Sequence, residues 1–257
     1  MKKLLTIILA CVIALVPLTL TGCSFLDDAI DTTILIEENQ KLKDEKENLL
    51  EENEALKSEL ATLRFELAFP DGLVTESCIL NSVNIIREDI NTEKSVYAVK
   101  ISGANTIVTI NGGSYDAGEG SASNVAIWAH DSATVIINDG IFCNGSDMNG
   151  EESPVIYAQN GSIEINGGLF YTKSATAQWL INCNNAGGSI IIKGGSFIDF
   201  NPADVHTDDA SSYVAEGYHV ECEVINEGTE EEYRLYTVVE GEPEPAVPEE
   251  PETPDEF

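Results

Sequence analysis

Positive charge is what this chain has least of. Lys and Arg together number 13 against 45 Asp and Glu, for a formal net charge of −32, and the three arginines (Arg64, Arg87, Arg234) are scattered. A nucleic-acid surface needs clustered cations that displace phosphate counterions, so nucleic acid is not an expected partner. The same deficit disfavours adsorption to anionic lipid headgroups. No two of the six cysteines are spaced as CxxC, which leaves zinc without a recognisable ligand set, and no metal is expected. Beyond residues 4–20 there is no further long apolar run, so no second membrane anchor is expected.

What is present begins with that run. Met1, Lys2 and Lys3 are a basic start, residues 4–20 are apolar apart from isolated threonines, and Pro17 interrupts them before a polar stretch. This is the layout of an export signal, too short and wrongly flanked for a spanning helix. Leu20-Thr21-Gly22-Cys23 resembles the lipobox of bacterial lipoproteins. The resemblance implies cleavage after residue 22, a diacylglyceryl group on Cys23 and tethering of the chain to a bacterial membrane outside the cytoplasm. An uncleaved anchor or a freely secreted product are the alternatives. Cys11 leaves with the signal, so Cys78, Cys143, Cys183 and Cys222 remain. Four thiols permit three pairings that spacing does not choose between, and free thiols buried in a stack of strands are the simplest reading.

After a short membrane-proximal linker (residues 23–34), Leu35, Leu42, Leu49, Leu56 and Leu63 recur every seven residues. Leucines at that spacing share one seam of a supercoiled helix, and residues 35–67 are expected to form a coiled-coil stalk. With the leucines at d, the a positions are Asn39, Lys46, Asn53, Leu60 and Leu67, and asparagine at a favours a parallel dimer. Glu38, Glu45, Glu52 and Glu59 fall at g, and Lys43, Lys57 and Arg64 at e, where they pair between parallel chains. A parallel homodimer is therefore the expected assembly, with a trimer as the alternative. A single helix laying its leucines on its own domain is the other outcome the pattern allows. Phe69-Pro70-Asp71-Gly72 ends the helix.

From there the helical period gives way to Val, Ile, Thr and aromatic segments punctuated by Gly, Asn and Asp. Val108-Thr109-Ile110-Asn111-Gly112-Gly113-Ser114-Tyr115 is echoed by residues 135–142 (VIINDGIF), 163–170 (IEINGGLF) and 190–197 (IIIKGGSF), at a period of about 27 residues. A fixed period of strands without helices indicates a solenoid with one repeat per coil. In register, Ile110, Ile137, Ile165 and Ile192 stack inside, as do Tyr115, Phe142, Phe170 and Phe197. Asn111, Asn138 and Asn166 align as a side-chain ladder that Lys193 breaks. A second strand follows in each repeat (residues 125–128, 155–158 and 179–183), and residues 83–90 and 96–101 are expected to supply the first coil or its cap.

These repeats resemble the right-handed parallel β-helix domains of the pectate-lyase-like class, found in polysaccharide-active enzymes, surface proteins and phage tail spikes. The expected fold is therefore an all-β right-handed parallel β-helix over residues 68–239, preceded by the α-helical coiled coil. Residues 218–225 and 233–239 alternate around a polar turn and read as a capping hairpin. Residues 240–257 carry eight acids and five prolines without Lys or Arg, the composition of a solvated disordered tail.

The resemblance implies that an enzyme of this fold would need a basic residue for lyase chemistry or grouped carboxylates for hydrolysis. Lys94, Lys100, Lys173, Lys193, Arg87 and Arg234 lie in no recognisable lyase motif. Asp199, Asp204, His206, Asp208 and Asp209 are the candidate acid and base groups if the chain is a hydrolase, although Asn201-Pro202-Ala203-Asp204 is also good turn chemistry. His130 beside Asp131 reads as a turn or surface pair. Trp128, Tyr157 and Trp179 lie on the second strands and are the candidate ligand-binding residues, able to stack on sugar rings if they face outward, or core residues if they do not. The acidic segments 116–119 and 147–152 are candidate Ca²⁺ loops without an EF-hand spacing. The combined expectation is a non-enzymatic, surface-displayed adhesin or glycan-binding lipoprotein. A polysaccharide-degrading hydrolase or lyase, and an envelope scaffold recognising another protein, are the alternatives.

Overall fold

The computed structural model describes residues 32–87, 96–120, 123–146, 153–174, 180–184, 187–204 and 212–243. Cys23 and its motif, the acidic segment 147–152, Trp179, His206, Asp208, Asp209 and residues 244–257 of the tail lie outside the described residues. The chain divides into two units, Met1–Glu52 and Asn53–Phe257. Among the described residues no helix is long and apolar enough to cross a membrane.

Helix α1 spans Thr32–Ala68, beginning three residues before the expected stalk. Pro70 ends it, because the residue before a proline is pushed out of the helical region. Gly72 then takes φ +70° and donates its N–H to the Phe69 carbonyl at 2.8 Å. Within the second unit the last turns of α1 cover the start of the β domain. Phe65 is buried in the core with Ala61 and Phe69 beside it, Ser58 Oγ donates to the Ser82 carbonyl at 2.7 Å, and the Asn84 N–H donates to Thr62 Oγ1 at 2.9 Å. The helix end is thus the N-terminal cap, and residues 83–86 and 96–101 are strands of the first coil, one of the two roles the sequence suggested for 83–90 and 96–101; residues 88–90 lie outside the described residues.

The rest is a β-solenoid of about four turns. One five-stranded sheet stacks β1 (Leu73–Val74), β4 (Val96–Ser102), β6 (Asn124–His130), β8 (Ile156–Gln159) and β11 (Ile181–Asn184), every pair parallel. The second sheet holds the glycine-bearing repeats: β2 (Cys78–Leu80) and β3 (Val83–Ile86) against β5 (Ile107–Gly120), then β7 (Thr134–Ser146), then β9 (Ser162–Ile165) and β10 (Leu169–Thr172), then β12 (Ser189–Ile192) and β13 (Ser196–Ile198). The motif alignment holds along the isoleucine limb, where Ile110 pairs with Ile137, Ile137 with Ile165 and Ile165 with Ile192, and again at the rings, with a register shift between β5 and β7 at Asn111, which pairs with Asp139.

Parallel strands stacked in register place like side chains on like, and the core is built from such columns. All four isoleucines are fully buried. Tyr115, Phe142, Phe170 and Phe197 are fully buried too, with successive ring centroids 5.1, 4.9 and 4.9 Å apart and planes within 11° of parallel. Burying one such ring contributes about 2–3 kcal/mol, so this column is a principal stabiliser of the coil stack. On the facing sheet Val99, Ile127, Ile156 and Ile181 form the matching column.

The corner between the two limbs of each repeat is held by the asparagines. Asn138 Nδ2 donates to Asn111 Oδ1 at 2.7 Å, Asn166 Nδ2 to Asn138 Oδ1 at 3.0 Å, and the ladder extends one rung further to Asn81. Lys193 ends it and bonds Glu164 at 2.8 Å instead. The glycines that follow are required for two reasons. Gly168 has φ +108°, a conformation that L side chains rarely adopt, whereas at Gly194 a side chain would run into the Asn166 carbonyl of the coil below.

The expected hairpin is present as β14 (Tyr218–Ile225) and β15 (Tyr233–Glu240). It joins the second sheet antiparallel to β13, pairing Phe197 with Tyr236, so the parallel stack ends in strands of opposite direction. The outermost strand carries exposed Glu221 and Glu223, which discourage addition of a further strand. Among the described residues Cys78, Cys143, Cys183 and Cys222 form no disulfide. Cys143 is buried and Cys78 and Cys183 are partly so, but Cys222 lies exposed on the hairpin, so the expectation of buried thiols fails there.

Candidate functional site

Strands alternate their side chains between core and solvent, and on the five-stranded sheet the outward positions align across the coils. Lys100 of β4 pairs with Trp128 of β6, Trp128 with Tyr157 of β8, and Tyr157 with Asn182 of β11. A second row sets Ser102 beside His130 and His130 beside Gln159. All are half-buried, while their chain neighbours Ile101, Ala129 and Ala158 are fully buried. Trp128 and Tyr157 therefore belong to the outward face and not to the core.

Trp128 is the centre of this platform. Tyr157 leans against it at 5.7 Å between centroids, and Tyr97 and His130 meet it edge-on at 6.1 and 5.9 Å. The Lys100 ammonium sits 3.8 Å over the Trp128 ring. Burial pulls that ammonium below its ordinary pKa range, with Asp131 acting in the opposite direction. The Trp128 indole N–H is buried and has no acceptor among the described residues. Three rings bordered by an ammonium, an imidazole and two carboxamides provide apolar area with hydrogen-bonding groups at its rim, the chemistry of a site for a ligand with both ring faces and hydroxyls. Lys100 covers one Trp128 face, and a half-buried cation–π contact of this kind is worth about 1–2 kcal/mol, which a ligand stacking on that face would have to offset.

Beside the platform, Ser102, Asp131 and His130 converge without forming a nucleophilic triad. Ser102 Oγ donates to Asp131 Oδ2 at 2.7 Å, and His130 Nδ1 lies 2.9 Å from the same oxygen. The carboxylate stands between serine and imidazole, so the imidazole is not placed to take the serine proton. The Ser102 hydrogen bond holds Asp131 below the usual carboxylate range, aided by His130 and Lys100. Asp131 and Ser132 have φ of +51° and +64°, which identifies the pair as a turn, as its sequence suggests.

The other candidates are taken up by structure. Asp199 has φ +54°, and its Oδ1 accepts the Arg234 N–H at 2.8 Å, so it ties the last coil to the capping hairpin. Asp204 donates its N–H to the Asn201 carbonyl at 3.1 Å and Asn201 Oδ1 accepts the Ala203 N–H at 3.0 Å, which is the turn chemistry of the Asn-Pro-Ala-Asp segment. In the proposed calcium segment 116–119, the Lys173 ammonium already sits 2.5 Å from Asp116 and 3.9 Å from Glu119. Among the described residues no group of three or more His, Cys, Asp or Glu side chains could hold a metal ion. Next to Asp116, burial pushes the Cys143 thiol up, and its hydrogen bond pushes the Tyr171 hydroxyl up to about 12. A thiol kept protonated is a poor nucleophile at neutral pH.

Tyr97, Lys100 and Ser102 were not among the sequence-based candidates. The spacing along the outward row, from Lys100 to Trp128 to Tyr157 to Asn182, departs from the glycine-motif period, and no shared motif marks it. No protein-family model, curated protein or solved structure matches this chain.

Proposed function

We propose that this chain is a non-enzymatic binding and display protein of the bacterial cell envelope, lipidated at Cys23 and recognising glycans on the outer face of its five-stranded sheet. In this reading the solenoid is a right-handed parallel β-helix of the pectate-lyase-like class with a coil of about 27 residues, and α1 is a coiled-coil stalk between membrane and solenoid. The observation that carries the binding assignment is the outward row Lys100, Trp128 and Tyr157, with Tyr97 edge-on to Trp128, an aromatic platform where an unused strand face would carry short polar residues. Asp199 supports a non-catalytic reading, because its carboxylate is engaged in joining the cap. The test is incubation of the chain with a panel of neutral and acidic polysaccharides, measuring retention and release of new reducing or unsaturated ends in the same wells. Retention without new ends supports the proposal; new ends would make the chain an enzyme, and no retention on any polysaccharide would remove glycans as its ligand.

A further inference from the structure

Helix α1 presents two faces with different fates. Over the stretch Asn53–Ala68 the heptad assigns Ser58 and Phe65 to f, Ala61 to b and Thr62 to c, and these are the residues that meet the solenoid: Phe65 is buried, Ala61 packs against the core, and Ser58 and Thr62 bond Ser82 and Asn84. The a and d leucines point elsewhere. Leu56 and Leu63 are each 55% exposed and Leu67 is 87% exposed, with Leu60 close behind. Leu42 and Leu49, on the same register, are exposed as well. Over Asn53–Ala68 the leucine seam therefore does not pack on the solenoid, and apolar side chains repeated at one position over several heptads are not left to water without a partner.

The charges beside the seam identify that partner. Glu38, Glu52 and Glu59 at g stand five residues before Lys43, Lys57 and Arg64 at e; only Glu45 lacks a cation, its counterpart being Leu50. In a parallel pair of identical helices each g carboxylate meets the e cation of the other chain, whereas an antiparallel pair would set glutamate against glutamate and cation against cation. Lys57 now bonds Glu54 at 2.6 Å between two exposed side chains, a contact worth little that exchanges readily. We infer that a second copy of this chain covers the seam, parallel and in register, and that the opposite face of the same helix fixes each solenoid to the coil. This rests on the coiled-coil reading of α1 and names its partner. The assembly presents two copies of the aromatic platform from one stalk, so a repeating polymer is gripped at two points and held more tightly than by either alone.

The test uses the full chain extracted in mild detergent, with Cys222→Ser removing the exposed thiol. Asn39→Cys and Leu67→Cys, each alone, are expected to oxidise to disulfide-linked dimers, and light scattering with the detergent contribution subtracted is expected to give two chains per particle. Cross-linking of Asn39→Cys seen only on mixing with Leu63→Cys, a d position such as a faces in an antiparallel pair, would mean antiparallel helices, and a monomer or a trimer would equally overturn the inference. Glu52→Lys with Glu59→Lys is expected to weaken self-association about tenfold, and adding Lys57→Glu with Arg64→Glu to restore it. Leu56→Asn with Leu63→Asn should give monomers whose β circular dichroism is unchanged, because neither side chain supports the solenoid. Dimers that persist in that variant would place the interface elsewhere. Polysaccharide retention by the monomeric variant separates the two proposals: weaker but measurable retention leaves the platform standing whatever the stalk does.

Discussion

Removing one ring from the middle of the aromatic column should cost more than removing any other single side chain on the same coil. Phe142 is fully buried, with Tyr115 at 5.1 Å and Phe170 at 4.9 Å on its two sides and planes within 9° of parallel. Its ring edge also lies close to backbone, since a methyl group built on Gly140 would come within 2.9 Å of it and one on Gly168 within 3.2 Å. The surrounding strands are tied to both neighbouring coils by parallel ladders, so the walls of a cavity left by Phe142→Ala cannot collapse inward. Phe→Ala in a core costs about 3–5 kcal/mol, and two lost ring contacts put this site at the upper end, about 4–5 kcal/mol. Phe142→Leu keeps most of the volume and should cost about 1–2 kcal/mol. Against a typical domain stability of about 5–15 kcal/mol the alanine variant loses a large share of what holds the fold. Urea unfolding followed by β circular dichroism measures both differences. An alanine penalty below about 1.5 kcal/mol, or one equal to that of leucine, would refute the column as a principal source of stability.

Three further outcomes are expected. Asn138→Ala removes two rungs of the exposed ladder, a bond given to Asn111 and one taken from Asn166, and should lower stability by about 1 kcal/mol, read from the urea midpoint; an unchanged midpoint would remove the ladder as a contributor. Asp199→Ala should loosen the capping hairpin by about 1–2 kcal/mol and speed amide exchange along β15, while Asp199→Asn keeps an acceptor and tolerates the positive φ; equal exchange in both variants would contradict the structural role. The Lys193 hydrogen bond holds Glu164 below its ordinary 4.5, so its stabilisation is present above that value and is lost as pH falls through the lower folded value. Melting temperature against pH should therefore fall less steeply below pH 4.5 in Glu164→Gln than in the unaltered chain; superimposable profiles would remove the pair from the acid limb.

The columns of the solenoid were legible because each coil repeats the same short motif, and parallel pairing turns sequence repetition directly into spatial stacking. Ile110 with its three counterparts, the ring column and the asparagine ladder all follow from that. Asn81 was missed because the first coil is irregular: it stands thirty residues before Asn111, outside the period of the others. Phe65 was missed for a different reason. Heptad reading attends to a and d, and nothing local tells that a phenylalanine at f will be buried by a distant coil. The turn roles of Asp204 and Asp131 were suggested by their neighbours, but which backbone N–H Asp199 would accept depended on where the hairpin docks. The platform was half legible: Trp128 and Tyr157 stood out as aromatics on second strands, whereas Lys100 over Trp128 depends on the register between β4 and β6, which no repeated motif marks.

The most direct test of the binding assignment is a glycan and polysaccharide array probed in parallel with the unaltered chain and with Trp128→Ala, both shown by circular dichroism to keep the β fold. The account predicts reproducible spots for the unaltered chain that fall at least about tenfold in the variant, since a stacked aromatic anchor dominates a small site. Spots of equal strength in both would place the ligand on another face of the solenoid, and an array silent for both would contradict glycan recognition.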